Sequence, residues 1–180
     1  MRVITGEARG RRLKEPVGMD IRPTTDKVKE SIFNIIQFDI EGRNVLDLFG
    51  GSGQLGIEAI SRGAKSAVFV DASQQAVKLI NENLKIVGFE DRARVVRGDS
   101  ISFLASGEKY GVVFMDPPYD TDLLDKALEN AIKFDILKEN GIIVCESKLE
   151  KQLAVTEPYY LSREYKYGKI KLSVFSRRAD

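Results

Sequence analysis

Two short segments of the sequence carry residue types and spacings that can do chemistry. The first is a glycine-rich run at residues 47–56, in which Gly51, Gly53 and Gly56 match the pattern G-x-G-x-x-G. Asp71 follows twenty residues after Gly51. Glycines at this spacing let a backbone approach a ligand closely, and a carboxylate at that distance can bind ribose hydroxyls. This segment predicts a nucleotide-like cofactor, either NAD or S-adenosylmethionine.

Asp47 favours the second of these cofactors. A carboxylate just before the glycines would meet an ammonium group, whereas in an NAD site it would repel the pyrophosphate that sits on the helix N-terminus. S-adenosylmethionine carries an ammonium and no phosphate, so the sequence predicts a methyl-donor loop. Asp99 and Ser100, after the third predicted strand, are placed to contact the adenine, although helix capping is the simpler interpretation of Asp99 alone. The predicted cofactor contacts are Asp47, Phe49, Gly51, Gly53, Asp71, Asp99 and Ser100.

The second segment comprises Asp116, Pro117, Pro118 and Tyr119, directly after the fourth predicted strand. The carboxylate and the Pro117 carbonyl can accept both hydrogens of an exocyclic amino group and aim its nitrogen at a sulfonium methyl. The two prolines keep these acceptors rigid, and Tyr119 offers a face for a base turned out of its stack. The alternative interpretation is a rigid turn that only ends a strand. We predict these four residues as the catalytic turn.

The chain must position both segments, and its apolar periodicity shows how. Short apolar strands are predicted at residues 45–49, 67–70, 93–96, 112–115 and 142–145, and helices at 25–38, 55–61, 74–87, 101–104 and 123–134. Two extended runs follow at residues 159–167 and 169–177. This alternation predicts a doubly wound α/β fold, a Rossmann-like and mostly parallel sheet. Both segments then lie at the carboxyl ends of strands, near the switch point. Residues 1–180 form one domain, with a basic arm or hairpin at 1–22 and a catalytic core at 23–180.

Composition narrows the chemistry further. The chain contains no histidine and one cysteine, which excludes a Ser-His-Asp triad, a His-ligated zinc and a zinc ribbon. A sulfonium leaves readily, so the predicted reaction needs neither a metal nor a histidine base. The single cysteine and the lack of an apolar run of roughly 18 residues predict a cytoplasmic protein without a membrane span.

Charge is distributed unevenly along the chain. The net charge of +1 combines +3 in residues 1–30, −6 in 31–147 and +4 in 148–180. Basic ends on an acidic middle suggest edges that face a polyanion, with a merely solubilising role as the alternative. We predict contacts to an RNA backbone from Arg9, Arg11, Arg12, Lys14 and Arg22.

The motifs resemble class I S-adenosylmethionine-dependent methyltransferases that act on amino groups of bases. Residues 2–13 and 22–33 (RPTTDKVKESIF) are similar to the RsmD family, and the similarity extends over essentially the whole chain. The resemblance implies methylation of the N2 amino group of one guanine in bacterial 16S rRNA, within assembled or assembling small ribosomal subunits. It also implies a seven-stranded sheet that ends in an antiparallel hairpin, and nothing demands more than a monomer. Gly50 and Asp71 stand where relatives often have Ala and Glu, which bears on donor affinity.

Other functions compete with this interpretation. A DNA adenine-N6 methyltransferase shares the Asp-Pro-Pro-Tyr turn but carries a target-recognition region, and only sixteen residues separate Asp99 from Asp116. Protein-glutamine methyltransferases typically have Asn in place of Asp116. An NAD-dependent oxidoreductase would need a substrate domain, and a pyrimidine-C5 methyltransferase a reactive thiolate, whereas Cys145 lies in an apolar strand. A catalytically silent RNA-binding module would need neither the loop nor the turn.

Overall fold

A seven-stranded sheet forms the centre of the protein in the computed structural model, which describes residues 1–18 and 24–180. The strands run in the order β3-β2-β1-β4-β5-β7-β6. Strands β1 to β5 are parallel to their neighbours, while β7 is antiparallel to β5 and β6. The predicted mostly parallel sheet with a C-terminal antiparallel hairpin is therefore confirmed. The strands are β1 Asn44–Leu48, β2 Ser66–Asp71, β3 Ala93–Arg97, β4 Tyr110–Met115, β5 Leu137–Lys148, β6 Tyr159–Tyr167 and β7 Ile170–Arg177.

The described part of the chain contains five α-helices, of which α1 precedes the first strand. Two of them begin with ordinary side-chain caps, since Thr25 accepts a hydrogen bond from the Val28 amide and Ser73 accepts one from the Ala76 amide. None of these helices is long and apolar enough to cross a membrane. The helices are α1 Asp26–Ile35, α2 Gln54–Ser61, α3 Gln74–Val87, α4 Ser100–Phe103 and α5 Leu123–Lys133, with 3-10 turns at Glu90–Arg92 and Leu104–Ser106.

The first helix is shorter than its periodicity predicts. It ends at Ile35 rather than near residue 38, and Ile36 already has a non-helical backbone. Ile36 and Ile40 are both buried, whereas Phe38 between them is 91% exposed. The chain turns after Ile35 because this geometry inserts both isoleucines into the core.

Side-chain alternation along the strands builds the functional edge of the sheet. Successive residues of a strand point to opposite faces, so residues two apart share a face. One face packs against α1, α2, α3 and the amino-terminal segment, and the other packs against α5. On the first face, four buried strand residues are each followed two positions later by a carboxylic acid, namely Val45 by Asp47, Phe69 by Asp71, Phe114 by Asp116 and Val144 by Glu146. Four acids from four neighbouring strands thus meet at the carboxyl edge of the sheet.

The amino-terminal segment, residues 1–14, folds back on itself and packs against this same face. Arg2 and Arg12 form an antiparallel bridge, and Val3 and Leu13 are buried. The carboxylate of Glu58 in α2 accepts hydrogen bonds from the amides of Ile4 and Thr5, at 2.9 and 3.0 Å. The segment is therefore docked on the core by both apolar burial and backbone hydrogen bonds.

A buried lysine completes this docking. The ammonium of Lys29 donates to the carbonyl of Arg2 at 2.6 Å and lies 3.5 Å from the Glu58 carboxylate. Burial lowers the pKa of Lys29, while the nearby carboxylates of Glu58 and Asp26 oppose that shift. Removing one partner would leave a buried charge uncompensated, so the contacts between the segment and α2 depend on one another.

Candidate active site

A cavity of about 850 Å³ opens at the carboxyl ends of β1, β2, β4 and β5. Its size lies in the range expected of a small-molecule site. The structure brings both predicted segments to this cavity, so the glycine-rich loop and the proline-rich turn face one space. The sequence-predicted residues on its wall are Asp47, Phe49, Gly51, Asp71, Asp99, Ser100, Asp116, Pro117, Pro118 and Tyr119.

The loop after β1 owes its shape to unusual backbone angles. Phe49 has φ of 62° and Gly51 has φ of 60°, both in the left-handed region. A Cβ atom on Gly51 would meet nothing nearer than the Phe49 carbonyl oxygen at 3.9 Å, so glycine there leaves the cavity side open. Gly53, by contrast, is not on the cavity wall, because a Cβ there would lie 3.3 Å from Ile80 of α3. Its φ of 81° serves the turn into α2.

Two carboxylates hold this loop in place by accepting hydrogen bonds from backbone amides. Asp71 accepts hydrogen bonds from the amides of Gly51 and Ser73, at 3.0 and 2.9 Å. Asp47 accepts one from the amide of Gly56 at 3.0 Å and is 3% exposed. Burial raises the pKa of Asp47 to about 7, the Gly56 amide opposes the shift, and the charge of Asp71 adds to it. A positively charged ligand would stabilise the ionised form of Asp47.

Asp99 caps a short helix at the cavity wall. Its Oδ1 atom accepts hydrogen bonds from the amides of Ile101 and Ser102, at 2.8 and 3.1 Å. The capping interpretation of Asp99 is thus correct as a structural statement, and it leaves the second carboxylate oxygen for a ligand. Ser100, the first residue of the helix, is buried beside it.

The turn after β4 is held by side chains from two other elements. The hydroxyl of Thr24 donates to Oδ2 of Asp116 at 3.0 Å. The hydroxyl of Tyr119 donates to Oε1 of Glu146, whose carboxylate stands beside Asp116 in the register of β4 and β5. Burial, together with the neighbouring Glu146 carboxylate, raises the pKa of Asp116 well above its usual range, and the hydrogen bond from Thr24 opposes that shift.

Three residues of the site, Thr24, Gln54 and Glu146, were not predicted as site residues from the sequence. Glu146 directly follows the apolar run 142–145, as Asp116 follows β4, so its position after a strand was an available signal. Gln54 is 5% exposed, and its amide nitrogen donates to the Thr24 carbonyl at 3.2 Å. Its Oε1 atom has no hydrogen-bond partner within the described residues. A buried acceptor of this kind costs about 1–3 kcal/mol unless a ligand donates to it.

The charge of the cavity selects a class of ligand. The described residues on the wall include no lysine or arginine. A site of this composition attracts a cation and repels a polyphosphate. The carboxylates on the wall are Asp47, Asp71, Asp99, Asp116, Asp120 and Glu146.

The described members of the predicted RNA-contacting set lie outside the cavity. Arg9, Arg11, Arg12 and Lys14 are all exposed, and Arg22 lies outside the described residues. The guanidinium of Arg11 donates to the carbonyl of Ile86, and Lys14 forms an ion pair with Glu82 at 3.2 Å. Arg9 and Arg12 form no such side-chain bond within the described chain and are the arm's most available cations.

Comparison with known proteins places the whole chain in one group. The family model described as Conserved hypothetical protein 95 matches residues 1–176. YlbH of Bacillus subtilis (strain 168) is 40% identical over 183 residues, which cover 99% of this chain and 100% of the relative. Ribosomal RNA small subunit methyltransferase D of Escherichia coli (strain K12) is 35% identical over 182 residues, with 100% and 91% covered. The solved structure of yhhF from Escherichia coli superposes with a TM-score of 0.90 at 34% identity, covering 100% of this chain and 99% of that one.

Proposed function

The chain belongs to the RsmD family, described as Conserved hypothetical protein 95, and on that premise we propose that it methylates the N2 amino group of one guanine in bacterial 16S rRNA. The methyl donor is S-adenosylmethionine. The observation that carries the proposal is the Asp116 turn on the wall of a cavity rich in carboxylates. The name of the Escherichia coli relative, a small-subunit rRNA methyltransferase, supports rRNA as the substrate.

The cavity fits the proposed donor on three counts. Its carboxylates suit a ligand that carries an ammonium and a sulfonium, and the unpartnered Oε1 atom of Gln54 can accept an N–H from such a ligand. The open side of Gly51 lets the ligand approach the backbone. When bound, S-adenosylmethionine supplies a methyl group on a good leaving group. The residues that would hold it are Asp47, Phe49, Gly51, Asp71, Asp99 and Ser100.

The turn after β4 supplies the geometry for the acceptor base. Asp116 and the carbonyl of Pro117 accept the two hydrogens of the guanine amino group and direct its nitrogen toward the methyl. The hydroxyl of Thr24 fixes Oδ2 of Asp116, and the prolines limit movement of the backbone. The ring of Tyr119 forms the face on which the base lies. The proton that the amino nitrogen loses passes to Asp116 or to water.

The basic amino-terminal segment serves as the interface to rRNA in this proposal. Arg9 and Arg12 contact phosphates directly, and Arg11 and Lys14 exchange their present partners for RNA. Arg22 completes the predicted set. The substrate is the assembled or assembling small subunit, and the enzyme acts as a monomer.

The decisive experiment is transfer of labelled methyl from S-adenosylmethionine to undermethylated small subunits, followed by digestion of the RNA to nucleosides. Label in N2-methylguanosine is the expected result. Label in another nucleoside would overturn the assignment of the base, and label only in duplex DNA offered in parallel would favour the adenine-N6 alternative. Donor binding without any transfer would overturn the rRNA substrate. Absence of donor binding would leave the silent RNA-binding module.

A pair of variants ties the result to the turn. Asp116→Ala should reduce methyl transfer by about 100-fold or more while donor affinity, measured by calorimetry, stays within a few fold. Asp125→Ala is the matched control, because Asp125 of α5 forms a surface ion pair with Lys151. An Asp116→Ala protein that transfers methyl as fast as the Asp125→Ala control would show that Asp116 has no role in the reaction.

A further inference from the structure

Glu146 is a buried acid that the proposed reaction does not yet use. It is 6% exposed and lies at the carboxyl end of β5. Phe114 pairs with Val144 and Met115 with Cys145 in the parallel register of β4 and β5, so Glu146 stands directly beside Asp116. Its position therefore follows from the sheet itself, which makes it a rigid support.

The contacts of Glu146 reach both ends of the catalytic turn. Its Oε1 atom accepts the hydroxyl hydrogen of Tyr119, the last residue of the turn. Its carboxylate also lies close enough to Asp116, the first residue of the turn, to raise the pKa of Asp116. Since Thr24 holds the other side of Asp116, the acceptor carboxylate is fixed from two directions.

We infer that Glu146 is a positioning residue, which holds Asp116 and Tyr119 at a fixed separation. Its consequence for methyl transfer rests on the proposed function. The charge of a neighbouring carboxylate disfavours the ionised form of Asp116, so this contact raises the pKa of Asp116.

The other groups around this pair are few. Asp47 of β1 adds negative charge, and the hydroxyl of Tyr119 faces Glu146 from the turn. On β7, Leu172 pairs with Glu146, and the adjacent Lys171 directs its ammonium to the Lys151 carbonyl instead. Within the described residues, burial and then the Glu146 carboxylate are thus the main causes that raise the pKa of Asp116.

Kinetics of two variants test the positioning role. In Glu146→Ala, we expect kcat for methyl transfer to fall about 100-fold, while KM for small subunits and the donor Kd change less than about threefold. In Glu146→Gln, kcat should return to within about tenfold of wild type, because the amide accepts from Tyr119 and donates to Asp116. Glu139→Ala, on the exposed start of the same strand, is the control. Equal loss of kcat and donor affinity in both Glu146 variants would overturn the inference.

Titration of Asp116 in the free protein tests its contact with Glu146 without any turnover. The carbon-13 signal of its carboxyl group is assigned by its disappearance in Asp116→Asn. We expect Glu146→Gln to lower the midpoint of this titration by about one pH unit or more, since a neutral donor replaces a neighbouring negative charge. An unchanged midpoint would overturn the inference. If the wild-type protein transfers no methyl, the proposed function fails, while this titration still decides whether the pair exists.

Discussion

Gly56 has no room for a methyl group, and this makes Gly56→Ala an informative perturbation. A Cβ atom at Gly56 would lie 2.3 Å from Cε1 and 2.7 Å from Cζ of the Phe69 ring. Carbon atoms in favourable contact are about 3.5–4.0 Å apart, so the ring would have to move by about 1 Å or more. Phe69 is fully buried between α2 and the sheet, which leaves it little freedom to retreat.

The expected loss of stability follows from two opposing terms. Overpacking a core costs about 1–3 kcal/mol, and the severity of this contact places Gly56→Ala near the upper end. Replacing glycine by alanine inside a helix returns about 1 kcal/mol. We expect the free energy of unfolding to fall by about 2 kcal/mol, which corresponds to a drop in Tm of about 4–8 °C for a domain of this size.

Urea unfolding and thermal scans of the ligand-free protein measure this change. Gly98→Ala is the control, because a Cβ at Gly98 would meet no atom within 4 Å and its φ is not in the left-handed region. Adding Phe69→Leu to Gly56→Ala should cost less than the sum of the two single changes, since it removes the clashing ring atoms. A Gly56→Ala protein as stable as wild type would refute the reasoning.

Three further predictions concern ligand binding, RNA binding and reactivity. Asp47, with a pKa of about 7, must ionise to bind a cationic donor, so calorimetry should show donor affinity about tenfold weaker at pH 6 than at pH 8. A donor Kd that does not change with pH would contradict this prediction. In the ligand-free protein the raised pKa of Asp47 has the opposite pH dependence, because the stability it contributes is lost as pH rises through 7. Arg9→Ala combined with Arg12→Ala should weaken RNA binding and lower the slope of log K against log salt by about 1–2, without altering donor affinity. An unchanged slope in filter binding would exclude both residues from the interface. Burial raises the pKa of the Cys145 thiol, so iodoacetamide should label it only after unfolding, and labelling of the native protein seen by mass spectrometry would contradict its burial.

The sequence predicted the fold well because strand and helix periodicities alternate clearly. Helix α3 occupies the predicted residues 74–87, and the hairpin of β6 and β7 lies where two extended runs were predicted. Strand β5 begins at Leu137, five residues before its predicted start. The apolar pattern missed this part of the strand because Lys138, Glu139 and Asn140 are exposed. An apolar pattern cannot reveal strand residues that face solvent on a loosely covered end.

The side chains of the candidate site were predictable only where one motif contains them. Asp116 and Tyr119 stand three residues apart in a recognisable turn, and Asp47 precedes the glycines that it supports. Glu146 belongs to the site through strand register, and Gln54 through the path of the chain near Thr24. Strand register is fixed by tertiary packing, so it cannot be inferred from the apolar pattern of a single sequence.

The amino-terminal segment shows a related limit. Its basic residues predicted an arm that faces RNA, but Val3 and Leu13 of the same segment belong to the core. Deleting residues 1–14 would expose apolar surface and remove the Arg2 carbonyl from Lys29. Point changes at Arg9 and Arg12 are therefore the appropriate test of the interface.

The docking of this segment also orders events during synthesis. Ile4 and Thr5 bind Glu58, which follows them by 54 and 53 residues, and Lys14 binds Asn83, which follows by 69. At translation rates of about 5–20 residues per second, the segment waits several seconds for its partners to emerge. Until then Arg11 and Lys14 lack the Ile86 and Glu82 partners that they have in the folded protein. The segment therefore completes its packing only after α2 and α3 have been made.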